Sequence, residues 1–485
     1  MKSEAGLIYK ELGAGYLSRR RNEGGRQLAA KAEACIFLER IFKMKRKNII
    51  WVFGDQHRAQ ALSCNGDPNV STPELDRLAV EGQNFPNAVC GMPLCCPFRG
   101  SLLSGKYPHH SVPGHEYQMP PKDPTIATVF NANGYDTAYF GKWHLDGFHE
   151  RDGRAAYHIV PPERRGAFKE WVGFENNNSQ WDSWVHGGEG ENAFHYRLPG
   201  YETDCLTDLL IDYIDGKESD EKPFFAVLSV QPPHNPYIAP AEFMDRFNPQ
   251  QLEMRPNVPN VDRIMKKARR ELAGAYAQIE NLDWNVGRIR ATLADAGLED
   301  DTHIVFFSDH GDMHGSQGQF LKMSPYEESI RVPFIMGGGI PMSYGDEKGN
   351  DSNAVMNHVD IAPTTLGLCG IDAPDWMEGF DYSGERLKSR PKKEVPDSTY
   401  IQSVIPTKHG NSVDQPWRGV VTVDGWKYVC FENQQWLLFN LNEDPYEQAN
   451  LAFNVMFKGK REELNERLQQ WIDKTGDKFS LPKFD

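Results

Sequence analysis

Cys95 opens the run Cys95-Cys96-Pro97-Phe98-Arg99, which closes on Ser104-Gly105-Lys106. Pro97 suits a first helical turn, where its missing N–H leaves nothing unpaired. Leu102 and Leu103 offer apolar positions to bury, and Gly105 is a natural helix stop. The run predicts a short helix with Cys95 at its N-terminus, where free N–H groups and the helix dipole favour an anion. Arg99, one turn on, can face the same anion. On this run alone a buried cysteine pair beside a short helix explains the residues equally well, since free cysteines are usually core residues.

Two further pairs carry metal-binding chemistry. Asp55-Gln56 and Asp309-His310 follow two separate apolar runs. Two carboxylates, an amide oxygen and an imidazole suit a divalent cation. Taken singly, each pair reads as a turn or helix cap. They act together only if the fold joins them.

The elements needed for that are present. Asn48–Phe53, Thr137–Phe140, Phe224–Val230 and Ile304–Phe307 read as buried strands. Each leads into polar residues: Asp55-Gln56, Lys142-Trp143-His144, Gln231-Pro232-Pro233-His234 and Asp309-His310. That pattern predicts an α/β fold with a doubly wound, mostly parallel sheet, whose ligands bind at the carboxyl edge of the strands. Ser71-Thr72-Pro73-Glu74 starts one helix, and 262–297 carries helical periodicity. Residues 150–200 lack clear periodicity and read as a long surface insertion. From about 395 the texture changes: Gly419–Phe431 and Gln435–Leu441 alternate like antiparallel strands around an Asp424-Gly425 turn, and an amphipathic helix follows near 460–474. The expected division is 1–46 as an N-terminal extension, peripheral or disordered; 47–395 as the catalytic α/β domain; and 396–485 as a smaller α+β subdomain.

Composition excludes several partners. The 485 residues are 39% hydrophobic and 25% charged, ordinary for a globular protein. No run approaches the roughly 20 apolar residues of a membrane span. A net charge of −15 disfavours nucleic acid and anionic membranes. Eight scattered cysteines make no disulfide framework, and Glu33, Glu39 and Arg40 interrupt the greasy stretch near the N-terminus. A cytoplasmic location is therefore expected. Met44 is a candidate start, and a different start would allow export.

The stretch CCPFRGSLLSGKYP resembles, over its whole length, the signature of the formylglycine-dependent (type I) sulfatases of the alkaline phosphatase superfamily. The resemblance implies an alkaline phosphatase-like fold and a sulfuric ester hydrolase. It also implies that a sulfatase-maturing, formylglycine-generating enzyme oxidises Cys95 to an aldehyde. Cys96 cannot substitute, because Pro97 and Arg99 would fall out of register. The metal ligands carried over are Asp55, Gln56, Asp309, His310 and the modified Cys95. Gln56 and His310 stand where the family usually has an acid and Asn, a pattern closer to phosphonate monoester hydrolases and some carbohydrate sulfatases. Calcium is the expected ion and manganese its competitor. The catalytic set carried over is Cys95, Arg99, Lys142, His144, His234 and Lys322. One hydroxyl of the aldehyde hydrate attacks sulfur while Arg99, Lys142 and Lys322 hold the sulfate. His234 contacts the leaving oxygen, and His144 is the base that lets the second hydroxyl expel sulfate. Lys106 is expected to position the modified loop, and His358–Thr364 to be structural.

For substrate, Arg151, Arg154, Arg164 and Arg165 form a basic cluster interleaved with Trp171, Trp181 and Trp184. Pro-Pro-Glu-Arg-Arg-Gly-Ala-Phe and Gly-Phe-Glu-Asn-Asn-Asn resemble segments of bacterial polysaccharide sulfatases. Arg164, Arg165, Asn177, Trp417 and Arg418 are the candidate contacts to an anionic small molecule or sulfated oligosaccharide. Two alternatives stand: a phosphonate monoester or phosphodiester hydrolase with the same nucleophile, and an inactive saccharide-binding relative.

Overall fold

Asn48-Ile49-Ile50-Trp51-Val52-Phe53-Gly54 is buried at every position, so it can only be the middle of a sheet covered on both faces. In the computed structural model, which describes residues 46–217, 222–338, 350–406 and 413–484, it is β1 (Asn48–Gly54). The other main-sheet strands are β2 (Gln83–Asn84), β3 (Asp136–Lys142), β4 (Glu170–Phe174), β5 (Trp184–Gly187), β6 (Phe194–Arg197), β7 (Phe224–Ser229), β8 (Thr302–Ser308), β9 (Phe334–Gly337) and β10 (Asn350–Asp351). Their order is β10-β2-β9-β8-β1-β7-β3-β4-β5-β6. The central block β8-β1-β7-β3-β4 is parallel throughout, and β9, β5 and β6 pair antiparallel outside it.

Helices cover both faces. Pro73–Glu81 (α1), Glu202–Asp215 (α4) and Asp262–Asp295 (α5) bury Leu75, Leu78, Leu206, Leu210, Leu282 and Ile289 against one side. Cys95–Ser104 (α2), Ile126–Ala132 (α3) and Ile361–Leu368 (α6) bury Leu102, Leu103, Ile126, Phe130, Ile361 and Leu366 against the other. This is the doubly wound sheet expected from the strand ends. Among the described residues, no helix is long and apolar enough to cross a membrane.

The region 150–200 differs from expectation. It is not a free insertion: it supplies β4, β5 and β6, which extend the main sheet. The strands are four or five residues long and separated by Gly- and Asn-rich turns, too short to show a period. The outermost, β6, is exposed at all four positions and so lacks the apolar alternation of a buried strand.

The C-terminal sheet has four antiparallel strands, β11 (Ser398–Ser403), β12 (Trp417–Thr422), β13 (Trp426–Phe431) and β14 (Gln434–Asn440), followed by α7 (Lys458–Thr475). Gly425 makes the β12–β13 turn at φ 83°, where a side chain would be strained. One face packs Val420, Tyr428 and Leu438 on Leu464 and Leu468 of α7. The other packs Trp417, Val421 and Val429 on Val89, Ile330 and Val355 of the main body. Residues 47–485 accordingly form one compact unit. The expectations for 1–43, including Met44 as a start, lie outside the described residues.

Candidate active site

The parallel block delivers its first polar residues to one sheet edge. β1 ends in Asp55-Gln56, β8 in Asp309-His310, and the tip of α2 brings Cys95 to both. The Cys95 Sγ lies 3.5 Å from Asp55 Oδ1 and 3.2 Å from His310 Nε2. Ligand atoms of Asp55, Cys95, Asp309 and His310 all fall within 4.8 Å of one another, and all four residues are buried. Ser308 Oγ ties the two strand ends, its one proton shared between the Gly54 and His310 carbonyls while it accepts the His57 N–H. Asp309 Oδ1 accepts the N–H groups of Gln56 (2.9 Å) and His310 (2.8 Å). α2 itself starts where expected and stops at Gly105, in the left-handed region at φ 68°.

These residues fit a cation. Among the described residues, Asp309 Oδ2 is buried with no hydrogen-bond partner, in a space bounded by a second carboxylate and an imidazole. Burial, then the charge of Asp55, pushes the Asp309 carboxyl up to about 7. Burial also opposes ionisation of Asp55, but the ammonium groups of Lys142 and Lys322 hold that carboxyl well below its usual range. Asp55, Asp309 and His310 can serve as ligands. Gln56 is in the same pocket; its amide oxygen accepts from Lys322 Nζ at 2.8 Å.

Basic side chains line the rest. Lys142 Nζ is 2.7 Å from Asp55 Oδ2. Arg99 Nη2 is 3.4 Å from the same oxygen and 3.8 Å from Asp309, while its Nη1 donates to the Lys142 carbonyl (2.7 Å) and Ser229 Oγ (2.8 Å). Strands β3 and β7 approach closely enough for this only because residue 141 is glycine; a Cβ there would sit 2.0 Å from the Ser229 carbonyl. Three basic side chains against two carboxylates give a local pocket for an anion in a protein of net charge −15.

Two histidines complete the pocket. His234 Nδ1 lies 2.7 Å from the Asn235 carbonyl, and its Nε2 2.9 Å from Lys322 Nζ. Burial, then Lys322, holds its pKa well below the usual range. The neutral ring therefore donates from Nδ1 and accepts the lysine proton at Nε2. Burial, then Lys142, does the same to His144, whose Nδ1 is buried without a hydrogen-bond partner among the described residues. The encoded thiol is a poor nucleophile, since burial, then Asp55, pushes Cys95 up to about 12.

The expected substrate contacts are each engaged within the protein. Arg165 is buried, donates to the Val160 and Gly188 carbonyls and stacks on Trp171, so it braces the β4–β5 region. Arg164 pairs with Asp146. Asn177 has its amide held by Ser183 and Ser179 and lines a cavity with Arg154, Asn176 and Asn178. Trp417 is fully buried between sheet and body. Arg418 is buried on Asp477 and the Ser403 carbonyl, holding the C-terminal segment. Arg151 is exposed on Asp152, and Lys106 faces Asp123 at 3.4 Å. Asp312 was legible but passed over: it accepts from Gln56 Nε2 (2.6 Å), Tyr237 Oη and the His314 and Leu321 N–H groups, and so fixes the Gln56 amide. It is the second acid of Asp-His-Gly-Asp, a visible signal. Ser229 and Glu175, which accepts backbone N–H groups of 145–148, carried none.

Comparison with known proteins decides the family. The Sulfatase family matches residues 47–371, and the C-terminal region of N-sulphoglucosamine sulphohydrolase matches residues 315–474. This chain belongs to the Sulfatase family. Among its relatives is an ulvan-active sulfatase of Formosa agariphila, 35% identical over 438 residues, 90% of this chain and 82% of that protein. At that likeness this sulfatase is a sulfuric ester hydrolase. A solved Bacteroides thetaiotaomicron structure, from work on the metabolism of multiple glycosaminoglycans, superposes with TM-score 0.78 at 25% identity, covering 89% of this chain and 97% of that one. The phosphonate monoester hydrolase of Agrobacterium radiobacter is more distant, with TM-score 0.71 at 20% identity over 89% of this chain and 96% of its own. It shares the fold alone.

Proposed function

We propose that this sulfatase removes sulfate from a sulfated saccharide, after a maturing enzyme has oxidised Cys95 to formylglycine. The observation that carries the proposal is the position of Cys95 Sγ, 3.5 Å from Asp55 and 3.2 Å from His310. Asp55, Asp309, His310 and the Gln56 amide oxygen would hold a divalent cation, calcium before manganese because oxygen donors predominate. That ion, when bound, neutralises sulfate oxygens and favours an ionised hydroxyl at residue 95. The aldehyde hydrate supplies the nucleophilic hydroxyl and a second one that allows sulfate release.

The chain's own residues bind, orient and move protons. Arg99 and Lys142 bind the anionic ester from the β3 side, and Lys322 from the opposite side. Arg99 is fixed for this by Ser229 and the Lys142 carbonyl. His144, held neutral, accepts a proton at a ring nitrogen. The departing alcohol takes its proton at the Lys322–His234 pair, whose Nζ and Nε2 lie 2.9 Å apart.

The saccharide assignment rests on the surroundings. A cavity of about 390 Å³ is lined by Glu150, Arg154, Asn176, Asn177, Asn178 and Asp182. It adjoins the catalytic loop, since Asn178 accepts from Gln231 and Gln180 donates to the His234 carbonyl. Its amides and guanidinium suit sugar hydroxyls. The test is turnover by matured protein of sulfated oligosaccharides, an aryl sulfate and a phosphonate monoester. The sulfated oligosaccharide should give the highest kcat/KM; preference for the phosphonate monoester would overturn the proposal.

A further inference from the structure

Beside the Asp55–Asp309 cluster lies another of different chemistry. Cys96 Sγ and one ring nitrogen each of His115 and His144 fall within 4.8 Å of one another. The residues come from the first turn of α2, the loop that follows it, and the end of β3. One thiol and two imidazoles form a donor set for a thiophilic divalent cation, with bonds of about 2.3 Å to sulfur and about 2.0–2.1 Å to nitrogen. Calcium prefers oxygen, so the two clusters select different ions.

Three observations point to a ligand here. His144 is 3% exposed, and its Nδ1 has no hydrogen-bond partner among the described residues. The Cys96 sulfur accepts the Glu116 N–H at 3.4 Å, which fixes its place in the cluster. Glu116 Oε1 lies 3.7 Å from His115 Nε2, and that carboxylate is itself fixed by His149 Nδ1 (2.7 Å) and the Glu150 N–H (2.9 Å). At 3.7 Å this is a charge contact longer than a hydrogen bond, and it places a fixed carboxylate beside a ring of the cluster.

We propose that Cys96, His115 and His144 form a binding site for a thiophilic divalent cation of the zinc class, and that filling it inhibits the enzyme by engaging the His144 imidazole. Cys96 releases its thiol proton to solvent as the metal–sulfur bond forms. The binding stands independently of the proposed hydrolysis; the inhibition rests on the role given there to His144.

The binding test uses the full chain carrying Cys95→Ala, so that no thiol remains in the oxygen-rich cluster, with calcium in excess and cobalt(II) as probe. One equivalent of cobalt per chain should produce a thiolate-to-metal charge-transfer absorption, which zinc then erases. Adding Cys96→Ser should abolish the band, with Cys96→Ala as the second variant should the serine form fail to fold. Glu116→Gln should weaken cobalt binding by about tenfold or more. No band, or a band that persists without Cys96, overturns the site. In the matured enzyme with Cys95 unsubstituted, zinc should suppress sulfate-ester turnover despite excess calcium. Cys96→Ser should then raise the half-inhibiting zinc concentration about tenfold, relative to that variant's own uninhibited rate. Equal sensitivity overturns the inhibitory role.

Discussion

Lys142→Met removes one ammonium and little volume, and the structure sets what should follow. Lys142 Nζ lies 2.7 Å from Asp55 Oδ2, with both side chains at most 1% exposed. Breaking a buried pair by removing one partner costs about 3–5 kcal/mol, because the other charge stays behind. Arg99 remains 3.4 Å from the same oxygen, which places the cost near the lower end. The unit spanning Lys47–Asp485 has roughly 440 residues, and its unfolding entropy is then about 0.9 kcal/mol/K. A loss of about 3 kcal/mol thus lowers Tm by about 3 °C. If Lys142 also holds a sulfate oxygen, kcat/KM should fall by roughly 10²–10³, the cost of removing one preorganised charge partner. Lys142→Arg should recover stability better than rate, since its planar fork cannot take the same point contact. Thermal denaturation and initial rates on an aryl sulfate, both with excess calcium, separate the two effects. A lowered Tm with kcat/KM within threefold of the parent would refute the sulfate-binding role and leave Lys142 as the counter-ion of Asp55.

Three further outcomes follow. Arg418→Met should cost about 3 kcal/mol, because it strands Asp477 in a buried site, yet leave KM unchanged; a raised KM at wild-type stability would restore Arg418 as a substrate contact. Cys95→Ser should fold and melt normally but give no turnover, and wild-type-like rates would remove residue 95 from the chemistry. His144 and His234 are held below the usual histidine range by burial and by Lys142 and Lys322 respectively. Both are already neutral at pH 6.5, so the acid limb of kcat/KM should lie below that pH; a one-proton limb centred at 6.5 or above, moved by His144→Gln, would contradict this.

The reactive centre was legible because its residues follow hydrophobic runs. Trp51, Phe140, Leu228 and Phe306 mark strands whose ends must meet along one parallel edge, and Asp55, Lys142, His234 and Asp309 come immediately after. The partners of the candidate substrate arginines were not legible. An arginine's role depends on its partner, and Arg418 finds Asp477 fifty-nine positions away, a pairing no local pattern announces. Arg165 looked like part of a basic cluster until its neighbours proved to be carbonyl oxygens and a tryptophan ring. The strands of 170–197 were missed because β6 buries nothing and the others are too short for a period to emerge.

The most direct test is to vary the maturation of residue 95 and count it. Samples coexpressed with graded amounts of maturing enzyme should show, by peptide mass spectrometry, different fractions of the lighter aldehyde form at Cys95. Sulfate-ester turnover per chain, measured with calcium present, should rise in proportion to that fraction and vanish at zero. Full activity from chains whose Cys95 is wholly unconverted would contradict the account.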